Sequence, residues 1–257
     1  MKRVLVIGGF DPSGGAGLLM DVKMLTLSGL ACASVPTALT FQSTKTFESW
    51  KPIESKDFER MLKLTLSDLP PVGVKIGMLA TPEIVSLTAK YLNRYREKIK
   101  WIVCDPVLRA TLGKNLFSGE TFLEAFIRDL LPLIDYLTPN ISEAKALTGL
   151  EMKDISDMKK AGHKLQAYGV KHVTITGFKR KGLILNYYSG EGERIFTIKE
   201  LPYEFHGTGC ALSSLILAFL LLGFCPKEAL SKAMRRLSLY LKKALTLEPS
   251  GPLRLIH

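Results

Sequence analysis

Residues 206–214, His-Gly-Thr-Gly-Cys-Ala-Leu-Ser-Ser, concentrate more potential chemistry than any other stretch of the chain. Gly207 and Gly209 open a segment that is otherwise strongly apolar and reads as a helix from about 210 to 222. Small residues there let backbone N–H groups approach an anion, and a helix start adds favourable partial charge. Gly207, Thr208 and Gly209 are therefore candidates for a phosphate-binding corner. The plain alternative is a flexible turn with Thr208 capping the helix. Cys210 lies at the same helix start, where a thiol pKa is expected to fall toward neutrality. Facing a pocket, it could accept a proton from a substrate hydroxyl; otherwise it is an inert buried cysteine. No His or Asn can be placed beside it to make a covalent nucleophile, and the adjacency of His206 says nothing about orientation.

Three further polar clusters stand at intervals before it. Asp11-Pro-Ser-Gly-Gly-Ala-Gly17 is a glycine-rich turn, but it matches neither GxGxxG nor GxxxxGK[ST]. Asp21, beyond the turn, suits a ring amino group or hydroxyl better than a pyrophosphate, and Gln42 could meet a second polar edge of the same ring. Either could equally be a local cap or a surface side chain. Asp105-Pro106 and Asn140-x-x-Glu143 are candidates for handling Mg²⁺, a hard cation that takes oxygen ligands and keeps waters. Asn140 and Glu143 also have the spacing of a capping box, and both roles can coexist.

The elements that must position these groups alternate. Strands are expected at 3–9, 31–39, 72–76, 101–104, 136–138 and 172–176, with a late hairpin at 183–188 and 193–198. Helices are expected at 18–27, 54–69, 82–95, 119–130, 140–147, 157–168, 210–222 and 226–245, with Pro82 in a first turn where its missing N–H costs nothing. This alternation predicts one three-layer α/β domain over 1–257, a mostly parallel sheet flanked by helices. In such a sheet ligands bind beyond the carboxyl ends of the strands, where all four polar clusters fall.

Composition sets the outer limits. A hydrophobic fraction of 47% and a charged fraction of 23% over 257 residues suit a globular protein with a sizeable core. The apolar run 215–224 is too short to span a membrane, and the aliphatic opening leads straight into the glycine turn rather than a cleavage site. Net charge is +11, from 35 Lys and Arg against 24 Asp and Glu, which favours an anionic partner. The charges are dispersed, without a basic stripe interleaved with aromatics, so nucleic acid is not the expected partner. Four cysteines without CxxC or ligand spacing argue against structural zinc and disulfides, and point to a reducing cytoplasm.

Taken in order, GGFDPSGGAG (8–17), Asp21-Val-Lys, ALTFQST (38–44), VKIGML (74–79), CDPV (104–107), LTPNISEA (137–144) and HGTGCALSS (206–214) resemble the hydroxymethylpyrimidine/phosphomethylpyrimidine kinases of thiamin biosynthesis, in the ribokinase-like superfamily. The resemblance runs from the first strand through the last helix. It implies a ribokinase-like three-layer sandwich without a separate lid domain, a homodimer, and ATP with Mg²⁺. It also implies two successive phosphorylations in one pocket, of 4-amino-5-hydroxymethyl-2-methylpyrimidine and then of its monophosphate. By that resemblance Gly9, Asp21, Gln42, Met78 and Val107 line the pyrimidine side. Asn140, Thr176, Lys179, Gly207 and Gly209 fall on the nucleotide side, Asp105 and Glu143 serve the metal, and Cys210 stands where related sugar kinases place a catalytic aspartate.

Two runs depart from the family's pattern. Leu108-Arg109-Ala110-Thr111-Leu112-Gly113 replaces Met-Val-Ala-Lys-Ser-Gly, so a customary lysine is Thr111, with Arg109 and Lys114 nearby. Ile175-Thr176-Gly177-Phe178-Lys179 replaces Val-Lys-Gly-Gly-His, so a second lysine is Thr176, with Lys179 three positions on. The second phosphorylation is the step these changes bear on. Alternatives are a pyridoxal or pyridoxine kinase, a kinase performing only one of the two steps, and a ligand-binding protein descended from a kinase.

Overall fold

A computed structural model describes residues 1–109, 115–119, 121–200, 204–243 and 253–254. Thr111 and Lys114 lie outside the described residues.

The first strand, β1 (Arg3–Phe10), shows how the layers arise. Val4 and Val6 face one side of the sheet and Leu5 and Ile7 the other, all of them buried. A strand covered on both faces cannot alternate polar with apolar, which is why it reads as a continuous aliphatic run. Its neighbours are β2 (Ala31–Gln42) and β4 (Gly73–Ile76), both parallel to it. Beyond β4 come β5 (Trp101–Cys104), β6 (Tyr136–Leu137) and β7 (His172–Arg180), parallel throughout. The edges are antiparallel: β3 (Phe47–Pro52) on β2, then β8 (Leu183–Gly190) and β9 (Gly192–Lys199) beyond β7. Among the described residues these nine strands form one sheet in the order β3-β2-β1-β4-β5-β6-β7-β8-β9.

Helices cover both faces. On one lie α1 (Gly17–Leu27), α7 (Thr208–Leu221) and α8 (Pro226–Lys243), packed on Val4, Val6, Val103 and Tyr136. On the other lie α2 (Ser55–Asp68), α3 (Pro82–Arg94), the short α4 (Phe122–Ala125), α5 (Ile141–Thr148) and α6 (Ile155–Ala167), packed on Leu5, Ile7, Ile76 and Val173. This is the expected three-layer sandwich. The residues of α7 from Cys210 to Leu221 are all buried, as its uniformly apolar sequence requires. No helix of the described residues is long and apolar enough to cross a membrane.

Three stretches differ from the sequence expectation. The strand expected to end at Leu39 runs to Gln42 and turns back through β3, which carries no clean alternation and was not predicted. The helix expected over 119–130 is instead α4, a π-helical turn at Phe126–Leu130 and a 3₁₀ turn at Leu131–Leu133. Pro132 prevents regular continuation there, because proline has no N–H to donate to an i−4 carbonyl. Finally, β7 passes 176 and continues to Arg180.

Candidate active site

A cavity of about 570 Å³ opens at the carboxyl ends of the parallel strands. Its base is set by two glycine-rich segments locked together. The Asp11 carboxylate accepts from the Ser13 and Ala16 N–H groups and from the Ser13 hydroxyl, each at 2.9 Å. The same carboxylate pairs with His206 Nε2 at 2.9 Å, and both residues are buried. Burial alone would raise the Asp11 pKa, but the hydrogen bonds from His206 and Ser13 outweigh it and hold the carboxyl below its ordinary value. Gly207, at φ +77°, lies so close to the turn that a Cβ there would strike the Gly15 carbonyl oxygen. The corner at 206–210 is thus a fitted part, in contrast to the flexible turn that was the alternative reading.

Gly207 is the N-cap of α7, and no side chain caps the helix. Thr208 is its first residue rather than its cap. The first amides of an α-helix have no intrahelical acceptor, and here residues 207–210 line the cavity, so those donors open onto it. Cys210 follows, buried and lining the same cavity as Asp105. Burial, and then the Asp21 and Asp105 charges, push this thiol well above the ordinary cysteine range. The expected fall toward neutrality is overturned: desolvation and two carboxylates outweigh the helix start.

Asp105 stands directly after β5 and Glu143 in the first turn of α5, both buried and both lining the cavity. Burial raises the pKa of each, and Asp105 adds to the rise at Glu143. The capping box forms as expected. Asn140 Oδ1 accepts the Glu143 N–H at 3.0 Å, and Glu143 Oε2 accepts the Asn140 N–H at 2.9 Å. Glu143 Oε1 also accepts the Leu108 N–H at 3.4 Å. Among the described residues no three His, Cys, Asp or Glu side chains form a metal cage. Two buried carboxylates on one cavity, one of them raising the pKa of the other, nevertheless fit a cation that keeps waters and takes its remaining oxygens from phosphate.

The opposite wall is apolar. Met78 packs with Phe47, Ala80 and Leu116, and Val107 and Trp50 lie against them. Gly9 makes room, since a Cβ there would stand 2.8 Å from Met78 Sδ. Gln42 Nε2 donates to Thr40 Oγ1 at 3.0 Å, which orients the amide at the cavity's edge. Asp21 reaches the floor but is wholly buried. Ser214 donates to its Oδ1 at 2.7 Å, and Lys75 Nζ lies 3.3 and 3.4 Å from its two oxygens. Its two oxygens have lone pairs beyond those used by Ser214 and Lys75, so it can accept from a ring without releasing either partner. Thr176 lines the cavity with its N–H on the Pro139 carbonyl. Lys179 is not brought to the cavity: its ammonium, largely exposed, pairs with Glu200 at 2.7 Å on the continuation of β7.

One residue and one pairing of this constellation were missed in the sequence. Lys75 had a local signal, since a lysine inside a fully buried strand requires a partner. The His206–Asp11 pair had none, its members being 195 positions apart.

The chain matches the family model for phosphomethylpyrimidine kinase over residues 11–253. It is 37% identical over 220 residues to the hydroxymethylpyrimidine/phosphomethylpyrimidine kinase of Aquifex aeolicus, covering 83% of this chain and 84% of that protein. A phosphomethylpyrimidine kinase from Clostridium difficile superposes with a TM-score of 0.81 at 32% identity, over 94% of this chain and all of the other. Pyridoxal kinase from Staphylococcus aureus, solved with pyridoxal, superposes with a TM-score of 0.90 at 29% identity, over all of this chain and 93% of the other. These neighbours share the ribokinase-like fold. With the glycine turn, the buried carboxylates and the uncapped helix start all inside the matched residues, the chain belongs to the phosphomethylpyrimidine kinase family and is a phosphotransferase.

Proposed function

We propose that the chain transfers the terminal phosphoryl group of ATP to the hydroxymethyl oxygen of 4-amino-5-hydroxymethyl-2-methylpyrimidine, and then a second one to the resulting monophosphate. The observation that carries this reading is the convergence of the uncapped start of α7 and an apolar, ring-sized wall on one cavity. The names of the relatives supply the ring; the cavity supplies a place for it.

Phosphoryl transfer asks a protein mainly to position reactants and to neutralise charge on the phosphoryl oxygens. The first-turn amides of α7 are the donors for those oxygens. The ring lies against Met78, Phe47 and Val107 with its alcohol toward Cys210. As the new O–P bond forms and the bond to ADP breaks, the alcohol proton must leave. Cys210 is protonated, so it receives that proton as it gives its own to Asp105, whose raised pKa suits a proton acceptor. Asp105 and Glu143 would serve Mg²⁺ through its retained waters, which leaves an Asp105 oxygen for the proton, and the cation would neutralise phosphate charge. Asn140 and Thr176 border the nucleotide side.

Purified protein with ATP, Mg²⁺ and the pyrimidine alcohol should yield ADP and the monophosphate. No product from any ring alcohol would overturn the reading. Pyridoxal belongs in the same assay because of the superposition on pyridoxal kinase, and a kcat/KM favouring pyridoxal would shift the function to that ring. Cys210→Ala should lower kcat by about 10² or more with little change in KM, as expected for a lost proton-transfer group. Cys210→Ser, which keeps a donor and acceptor, should recover part of the loss. Serine as inactive as alanine would remove the relay and favour a resident thiolate.

A further inference from the structure

The cavity has more carboxylates than cationic side chains in its lining, although it must admit phosphates. Asp11, Asp21, Asp105 and Glu143 all line it, while the cationic candidates among its lining residues are His206 and Arg109. His206 is committed to Asp11 at 2.9 Å. Among the described residues no carboxylate is paired with the Arg109 guanidinium, which is exposed at the cavity's edge.

The backbone of Arg109 is held firmly. Leu108 donates its N–H to Glu143, and the Leu116 N–H returns to the Leu108 carbonyl at 2.9 Å. Arg109 and Asn115 form an isolated antiparallel bridge, and Trp50 Nε1 donates to the Asn115 carbonyl at 3.0 Å. Trp50 belongs to β3, at the end of the sheet that carries Gln42 and Phe47, whereas Asn140 and Thr176 border the cavity toward β7. The segment leaves β5 and is tied to Glu143 through Leu108 and to β3 through Asn115, so Arg109 borders the cavity between the buried carboxylates and the ring side.

We infer that Arg109 is a specificity-determining residue that receives the phosphate already present on the ring substrate in the second transfer. The inference rests on the kinase reading above and deepens it. A guanidinium presents a planar fork that meets two phosphate oxygens at once, which an ammonium cannot do. The alcohol brings no such charge, so the contribution of Arg109 differs between the two substrates. Among the described residues lining the ring side of the cavity, no other side chain offers a monophosphate such a counter-charge.

The test is steady-state kinetics of wild type, Arg109→Ala and Arg109→Lys with the pyrimidine alcohol, with its monophosphate, and with ATP varied. In the alanine variant, kcat/KM for the monophosphate should fall at least about tenfold further than kcat/KM for the alcohol, the scale of one charge-assisted contact. Lysine should recover part of that difference. Equal losses for both substrates, a rise confined to the KM for ATP, or no change would each overturn the assignment. So would a wild-type enzyme that phosphorylates the alcohol but not the monophosphate. A wild-type enzyme inactive on every ring alcohol sinks the kinase reading itself, a result distinct from all of these.

Discussion

Gly207 shows how much of this site depends on one atom that is not there. Its φ of +77° is costly for any residue with a Cβ, and the space a Cβ would need is filled by the Gly15 carbonyl. Gly207→Ala should therefore lower stability by about 1–3 kcal/mol, the range for strained left-handed residues, and lower kcat more than it raises KM. Thermal melts with steady-state kinetics check both, and wild-type kcat in the alanine variant would show that the corner need not be fitted to the turn. Gly209→Ala is the milder comparison: its φ is ordinary and a Cβ would approach Asp105 Oδ2 to 3.0 Å, so the carboxylate must shift slightly. At this scale the sequence revealed residue types better than their states. The glycines and Cys210 were legible because a helix start has a recognisable composition. The protonated condition of Cys210 was not, because it depends on burial first and then on Asp21 and Asp105, brought in from other elements.

At the scale of elements, the parallel core was readable because each buried strand is a short aliphatic run ending in glycine, proline or aspartate. What escaped was β3, whose residues beyond Phe47 are half-buried or exposed and lack periodicity, and the broken helix before Leu133. In neither case does local pattern decide; an edge strand is set by its neighbour and a π turn by packing. The start of α5 separates two functions that share one residue. Glu143 closes the capping box and also stands beside Asp105 as a candidate metal-side carboxylate. Glu143→Gln keeps one carbonyl oxygen, which can accept from the Asn140 N–H and preserve the capping box, gives up the longer 3.4 Å bond from Leu108, and removes a buried charge whose pKa is already raised. Melting temperature should stay level or rise, while activity falls at least about tenfold and the Mg²⁺ requirement increases. Glu143→Ala should in addition lose about 1 kcal/mol with the cap. Equal melting losses in both variants would make the residue purely structural.

Across the whole molecule, chemistry and a pH-sensitive element of stability lie at opposite ends of the sheet. The candidate site residues gather beyond the carboxyl ends, whereas His172 begins β7 at the other end, buried between Trp101, Tyr136 and Tyr188. Its Nδ1 lies 3.1 Å from the Tyr188 hydroxyl. Burial holds the imidazole pKa below its ordinary value, with Lys171 acting in the same direction and the carboxylates of Glu191 and Asp135 opposing. The unfolded chain thus binds a proton at His172 more readily than the folded one. Its contribution to stability is fully present above about pH 6.5 and is lost as pH falls through the folded pKa, with a slope of at most about 1.4 kcal/mol per pH unit. His172→Asn keeps a polar partner for Tyr188 but cannot titrate. Urea melts from pH 7.5 to 5 should therefore show the wild type losing stability faster than the variant, so that the two curves converge or cross in acid. Parallel curves would mean that the ring is protonated in the fold without cost. The variant's kcat/KM at pH 7.5 should match the wild type, because nothing in the His172 cluster touches the cavity.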